Sequence, residues 1–154
     1  MKRVIGVAFI IIIVLSLAAC GGIEPRAVLS AEEFTSLMTS AGHPVEDVTH
    51  FYDDIPGLEI LLLADLGDFS VEFIVYDTEA PARALYNQLR SDLEYGRGRT
   101  SSHRETNVAN FSRFIQTTDG RFEALTRVEN TLVLIITSSE NRGQAEAVLD
   151  ILGY

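Results

Sequence analysis

The chain contains one cysteine, Cys20, and this limits how the protein can be stabilised. The residue follows a long apolar run, and there is no second cysteine with which it could form an intrachain disulfide. The 135 residues from 20 to 154 are enough to bury a hydrophobic core as one domain. We therefore expect packing, rather than covalent crosslinks, to hold the fold together.

The residues before Cys20 show the three parts of a secretion signal in the expected order. Lys2 and Arg3 form a positive region, Val4–Leu17 an apolar region, and Leu17–Gly21 contains the small residues of a cleavage site. At 1.5 Å per residue, the apolar region would make a helix of about 21 Å, shorter than the hydrocarbon core of about 30 Å. A secretion signal therefore fits better than a permanent transmembrane helix.

The segment Leu17–Gly21 resembles the lipobox of bacterial lipoproteins. That resemblance implies cleavage before Cys20, whose thiolate would carry diacylglycerol through a thioether bond. Two acyl chains hold a protein firmly where one is marginal, so a cell membrane location on the extracytoplasmic face follows. In a Gram-negative cell, Gly21 in place of a retention aspartate would direct the protein to the outer membrane. A plain secretory signal and an uncleaved anchor are the alternatives.

The chain divides into a signal peptide (1–19), a tether (20–29) and a single domain (30–154). Gly21, Gly22 and Pro25 disfavour regular structure in the tether. We see no long repeat, heptad pattern or low-complexity segment.

Charge is distributed unevenly. Residues 20–79 carry 13 acidic side chains against Arg26 alone, whereas residues 80–154 carry nine acidic side chains and nine arginines. Nucleic acids and anionic lipid surfaces select clustered positive charge. Nucleic acid is therefore not an expected partner, and no cofactor is indicated.

Hydrophobic periodicity predicts three helices. Ser30 and Glu33 form a capping box at the start of the first. The first helix is predicted to be capped by Ser30 and to end at Gly42. The second is capped by Asp77 or Thr78 and ends at Gly96, and the third is capped by Ser138 or Ser139 and ends at Gly153.

Apolar runs and turn residues predict five strands, and polar segments on either side are interpreted as loops. The strands are Leu58–Ala64, Val71–Tyr76, Ala109–Thr117, Arg121–Val128 and Thr131–Thr137. Val45–Pro56 is predicted to be irregular and Arg97–Asn107 to be a mobile loop. The expected fold is α+β, a mainly antiparallel five-stranded sheet with packed helices in the order α-β-β-α-β-β-β-α.

The domain resembles small single-domain lipoproteins of unknown function from Gram-positive, Firmicutes-like bacteria. The similarity lies in four places: Ala64, the Val71–Phe73 strand followed by Asp77 and Ala80, the Arg127–Thr131 turn, and the terminal Leu152–Tyr154. These are structural positions, so the resemblance implies no catalytic residue.

A basic segment is the main candidate for ligand binding. It contains Arg97, Arg99, His103 and Arg104. Gly96 and Gly98 lie on either side of Arg97. Guanidinium groups bind phosphate and carboxylate in fork geometry, so wall polymers, lipid headgroups or an acidic envelope protein are conceivable ligands. The alternative is a flexible loop that offsets the acidic half of its own molecule.

An acidic segment is a weaker candidate for metal binding. It contains His43, Glu46, Asp47, His50, Asp53 and Asp54. Imidazole and carboxylate ligands can suit zinc, manganese or calcium, but the spacing matches no known metal motif. An ordinary solvated acidic loop is the favoured interpretation.

Catalytic motifs are not evident. Ser101 and Ser102 adjoin His103 without a nucleophile elbow, and Glu59, Asp65 and Asp68 are explained by turn chemistry. We therefore favour a non-enzymatic, membrane-tethered binding or interaction module. The alternative is an extracytoplasmic hydrolase whose residues converge only in three dimensions.

The lipobox yields the first testable prediction. Cys20→Ser should abolish incorporation of labelled palmitate and release the protein from the membrane fraction, because a hydroxyl is not alkylated under mild conditions. Labelling and fractionation of cells measure both effects, and Ser16→Ala is the matched control that should stay anchored. Palmitate labelling of the Cys20→Ser chain at the wild-type level would contradict the prediction.

Overall fold

A computed structural model describes residues 25–96 and 101–154, which form a seven-stranded antiparallel sheet with three α-helices. The strands are β1 (Val45–Asp47), β2 (Leu58–Asp65), β3 (Ser70–Tyr76), β4 (Ser101–Val108), β5 (Phe111–Thr118), β6 (Arg121–Val128) and β7 (Thr131–Ser138). The helices are α1 (Ala31–Ser40), α2 (Glu79–Tyr95) and α3 (Arg142–Ile151), and short 3-10 turns span Thr49–Phe51 and Ser139–Asn141. Among these residues, none of the helices is long and apolar enough to cross a bilayer.

The strand order is β1-β2-β3-β7-β6-β5-β4, so two meanders meet at the β3–β7 pair. Helices α1 and α3 cover one face of the sheet, and α2 covers part of the other face. Because side chains alternate along each strand, the sheet supplies a separate apolar cluster to each layer of helices.

The larger cluster lies under α1 and α3. Phe34 of α1 and Phe73 of β3 are both fully buried, and their rings stack with centroids 4.7 Å apart. The carboxyl-terminal residue Tyr154 packs in the same layer, where its hydroxyl shares a 2.8 Å hydrogen bond with Thr131.

Several local predictions are confirmed. The Ser30 hydroxyl accepts a hydrogen bond from the Glu33 amide at 3.2 Å, and the Glu33 carboxylate accepts one from the Ser30 amide at 2.9 Å. The turn at Asp119 and Gly120 has positive φ at both residues, as a tight hairpin requires. The α+β class and the antiparallel sheet also hold.

The predicted five-stranded sheet and its element order are wrong, because the described chain contains two more strands. One is β1, which lies in the segment interpreted as irregular and pairs Val45 with Ala64 of β2. The other is β4, which occupies most of the segment interpreted as a mobile loop and pairs with β5 along its whole length.

Both missed strands are at sheet edges, and this explains the error. An edge strand buries little of its surface, so it shows no clear apolar alternation. β4 carries the sequence SSHRETNV, whose residues 102–105 are exposed. The third helix also begins later than predicted, because the 3-10 turn Ser139–Asn141 precedes it.

The sheet has two ends, which matter for the sites described below. We call the end that carries the Ala109–Asn110 and Glu129–Asn130 turns and Tyr154 the tether end, because Arg26 contacts it. The Arg26 amide donates to Asn110 Oδ1 at 2.9 Å, and its guanidinium donates to the carbonyl of Gly153. We call the opposite end, which carries the Asp119–Gly120 turn, the distal end.

The stacked pair predicts a large loss of stability on truncation. Phe73→Ala should lower the free energy of unfolding by about 3 to 5 kcal/mol, since it removes a fully buried ring and leaves a cavity. Urea denaturation measures this loss. Ile151→Ala, at a side chain that is half exposed, is the control and should change stability by no more than about 0.5 kcal/mol. Equal losses in the two variants would contradict the packing described.

Candidate functional site

Four arginines lie on one face of the sheet beside the β4 edge, and we call them the arginine strip: Arg26, Arg104, Arg113 and Arg142. Arg104 pairs in register with Ile115, which is two residues from Arg113, so the two arginines share a face. The Arg26 guanidinium lies over the ring of Phe111, 3.7 Å from its centroid, and Phe111 is two residues before Arg113 on β5. Arg142, at the start of α3, completes the strip at the distal end.

A pocket of about 130 Å³ marks the distal end of the strip. Arg104 and Arg142 both line it, together with Ser102, Ile115, Thr117 and the acidic residue Glu146. Hydroxyl and guanidinium groups are the donors that bind phosphate and carboxylate oxygens. The pocket can therefore accept an anionic group on a partly apolar floor.

Arg142 is held in place by its own helix. Its Nε and Nη2 atoms donate to Oε1 of Glu146 at 3.0 and 2.9 Å, an i to i+4 pair. The pair is about half exposed, so it contributes little to stability. Its effect is to aim the guanidinium, while the carboxylate offsets part of its charge.

The middle of the strip is more enclosed. Arg113 Nη1 donates to the main-chain oxygen of Tyr154 at 3.3 Å. Burial lowers the pKa of Arg113, and the nearby charges of Arg26 and Arg104 lower it further, while Asp150 and Glu146 oppose this effect. Arg113 thus lies near both guanidinium groups and carboxylates, and an added anion would relieve its repulsion from Arg26 and Arg104.

The basic segment identified from the sequence is only partly in this site. Arg104 is in the strip. The His103 ring instead faces Phe114 on the α2 side of the sheet, with centroids 6.3 Å apart, although the residue borders the pocket. Arg97 and Arg99 lie outside the described residues, as does Cys20.

The acidic segment lies at the opposite edge of the sheet. β1 (Val45–Asp47) separates His43 from His50, and the side chains of Asp53 and Asp54 are exposed. Within the part of the chain that the structure describes, no three His, Cys, Asp or Glu side chains are grouped to hold a metal ion. The acidic and basic segments therefore do not form a common cleft.

Asp47 has a local structural role. Thr49 donates to its carboxylate through its hydroxyl at 2.5 Å and its amide at 2.9 Å, and these two bonds lower the pKa of Asp47. The carboxylate is thus used in a turn.

The sequence candidates for catalysis are also separated. Ser102 and His103 are neighbours on a strand, so their side chains point to opposite faces of the sheet. Glu59 lies near the tether end of β2, whereas Asp65 ends β2 at the distal end and accepts a bond from the Gly67 amide at 2.8 Å.

Sequence reasoning missed Arg26, Arg113 and Arg142 as members of the site. Each comes from a different element, so proximity along the chain gives no sign of their grouping. One signal was available, because Arg113 and Ile115 are two residues apart in a predicted strand and therefore share a face. A charged residue on a buried side of a strand indicates a functional or paired position.

Comparison with known proteins adds little. No protein-family model matches the sequence, and no curated protein matches it. A crystal structure described as a GTP binding regulator from Thermotoga maritima is similar in fold, with 14% identity and a TM-score of 0.48. The match covers 84% of this chain and 91% of that one, and at this level of similarity it carries no argument about function.

Proposed function

We propose that this protein is a membrane-anchored, extracytoplasmic binding protein that holds a phosphate-bearing envelope polymer along the arginine strip. The observation that carries the proposal is the grouping of four arginines from four segments of the chain on one face. This grouping occurs in a chain whose formal net charge is −10. Glu146 and Asp150 lie beside these arginines and offset only part of their charge.

The length of the strip suits a polymer. Phe111, under Arg26, and Thr117, in the distal pocket, are six residues apart on β5, which corresponds to about 20 Å of extended strand. A linear chain of phosphates can contact guanidinium groups along such a distance, and each planar fork can bind two phosphate oxygens.

The anchor would orient the strip. Cys20 precedes Arg26 by six residues, and six extended residues span at most about 20 Å. A lipid on Cys20 would therefore hold the tether end near the membrane, since Arg26 contacts that end. The strip would then run away from the bilayer, with the Arg104 and Arg142 pocket on the side that faces the envelope.

This orientation favours a polymer over lipid headgroups as the ligand. Headgroups would reach the Arg26 end alone, whereas a polymer that extends from the membrane could follow the whole strip. The proposal does not invoke catalysis, because a guanidinium that remains charged at all accessible pH values binds and orients anions but does not transfer protons.

Binding of inorganic polyphosphate to the full-length protein in detergent tests the proposal. The double variant Arg104→Gln/Arg142→Gln should weaken binding about tenfold or more, since each charge-assisted contact contributes about 1.5 to 3 kcal/mol and a tenfold change is about 1.4 kcal/mol. Arg83→Gln, on exposed α2 surface, is the matched control and should bind like wild type.

Glu146→Gln supplies a test of opposite sign. It removes the carboxylate that pairs with Arg142, so polyphosphate binding should become tighter. Equal affinities for wild type and the double arginine variant would contradict the proposal. Tighter binding of polyglutamate than of polyphosphate would also contradict it and would instead indicate an acidic protein partner.

A further inference from the structure

A second candidate site lies on the other face of the sheet, where α2 leaves part of the surface uncovered. A groove of about 190 Å³ opens between α2, the sheet and the segment that follows the first 3-10 turn. Tyr52 and Ile55 form its rim, Leu85 and Leu89 its α2 wall, and Glu72 and Leu134 part of its floor. It shares no residue with the arginine strip.

The groove is apolar except for one carboxylate. Glu72 stands on β3 between two leucines, Leu63 on β2 and Leu134 on β7, which are its partners in register. The lining side chains from β2, β7 and α2 carry no charge, and the other ionisable groups there are the phenols of Tyr52 and Tyr76.

The Glu72 carboxylate lacks compensation within the described protein. None of the described donors or cations is bonded to it, and its burial raises its pKa. A half-buried carboxylate without a partner destabilises the fold at neutral pH, whereas an apolar residue at the same position of β3 would not. A carboxylate in a cleft whose pKa is perturbed is a candidate for a binding or catalytic site.

The rim adds to the negative potential. Asp53 and Asp54 lie between Tyr52 and Ile55 in the sequence, and both are exposed. The groove is thus acidic at its floor and beside its mouth, so it attracts cations and repels anions.

We propose that this groove binds an organic cation that carries an apolar group. The ammonium group would pair with Glu72, and the apolar group would contact Leu85, Leu89 and Leu134. The exposed ring of Tyr52 lies at the mouth, where an aromatic face attracts a cation further. The proposal is independent of the anion site, because the two lie on opposite faces.

Three probes of matched shape and different charge test this proposal: phenethylammonium, neutral 2-phenylethanol and anionic phenylacetate. Each is titrated into the full-length protein in detergent, and amide NMR signals of Glu72 and Leu134 report the affinity. We expect the cation to bind at least tenfold tighter than the alcohol, and phenylacetate not to bind.

Glu72→Gln should remove the preference for the cation, while Glu59→Gln, at an exposed position on β2, should retain it. Equal binding of cation and alcohol by wild type would overturn the proposal.

Thermal unfolding without probe supplies a second readout. Glu72→Gln should raise the Tm at neutral pH, because it removes an unpaired charge that is half-buried. The raised pKa means that wild type loses stability as the pH rises from the ordinary glutamate pKa to the folded one, so the difference in Tm should vanish at lower pH. A lower Tm for Glu72→Gln at neutral pH would show that the carboxylate already has a stabilising partner in the protein, which would overturn the proposal.

Discussion

The pairing of β3 with β7 is the interaction on which the rest of this structure depends. It joins the meander β1–β3 to the meander β4–β7 through five residue pairs, from Val71 with Ile135 to Val75 with Thr131. Val71, Phe73, Val133 and Ile135 are fully buried there. Because the pair is central, the two meanders extend from it in opposite directions and end in opposite edges of one sheet.

This arrangement converts an asymmetry of sequence into an asymmetry in space. β1–β3 lie within the acidic segment 20–79, and β4–β7 lie within the arginine-containing segment 80–154. The acidic edge and the edge that carries Arg104 are therefore separated by the width of the sheet. The cation site proposed around Glu72 belongs to the acidic meander, and the anion site proposed along the arginine strip belongs mostly to the other.

Local signals in the sequence were enough to predict the helices and the buried strands. The capping box of Ser30 and Glu33 involves neighbours, and the hairpin at Asp119 and Gly120 depends on two residues with positive φ. β1 and β4 could not be found in this way, since an edge strand is stabilised by backbone pairing to one neighbour and needs no apolar pattern. The arginine strip also depends on the pairing of β4 with β5. Arg104 lies on the same face as Arg113 and Arg142 only when β4 is a strand. The interpretation of Arg97–Asn107 as a mobile loop therefore concealed the site.

Arginine side-chain NMR on the full-length protein, titrated with inorganic polyphosphate, tests the central claim most directly. The account predicts that the Nε–Hε signals of Arg104, Arg113 and Arg142 shift together and saturate, while those of Arg83 and Arg121 on the other face do not move. Equal shifts at all arginines, or saturation confined to Arg83 and Arg121, would contradict it.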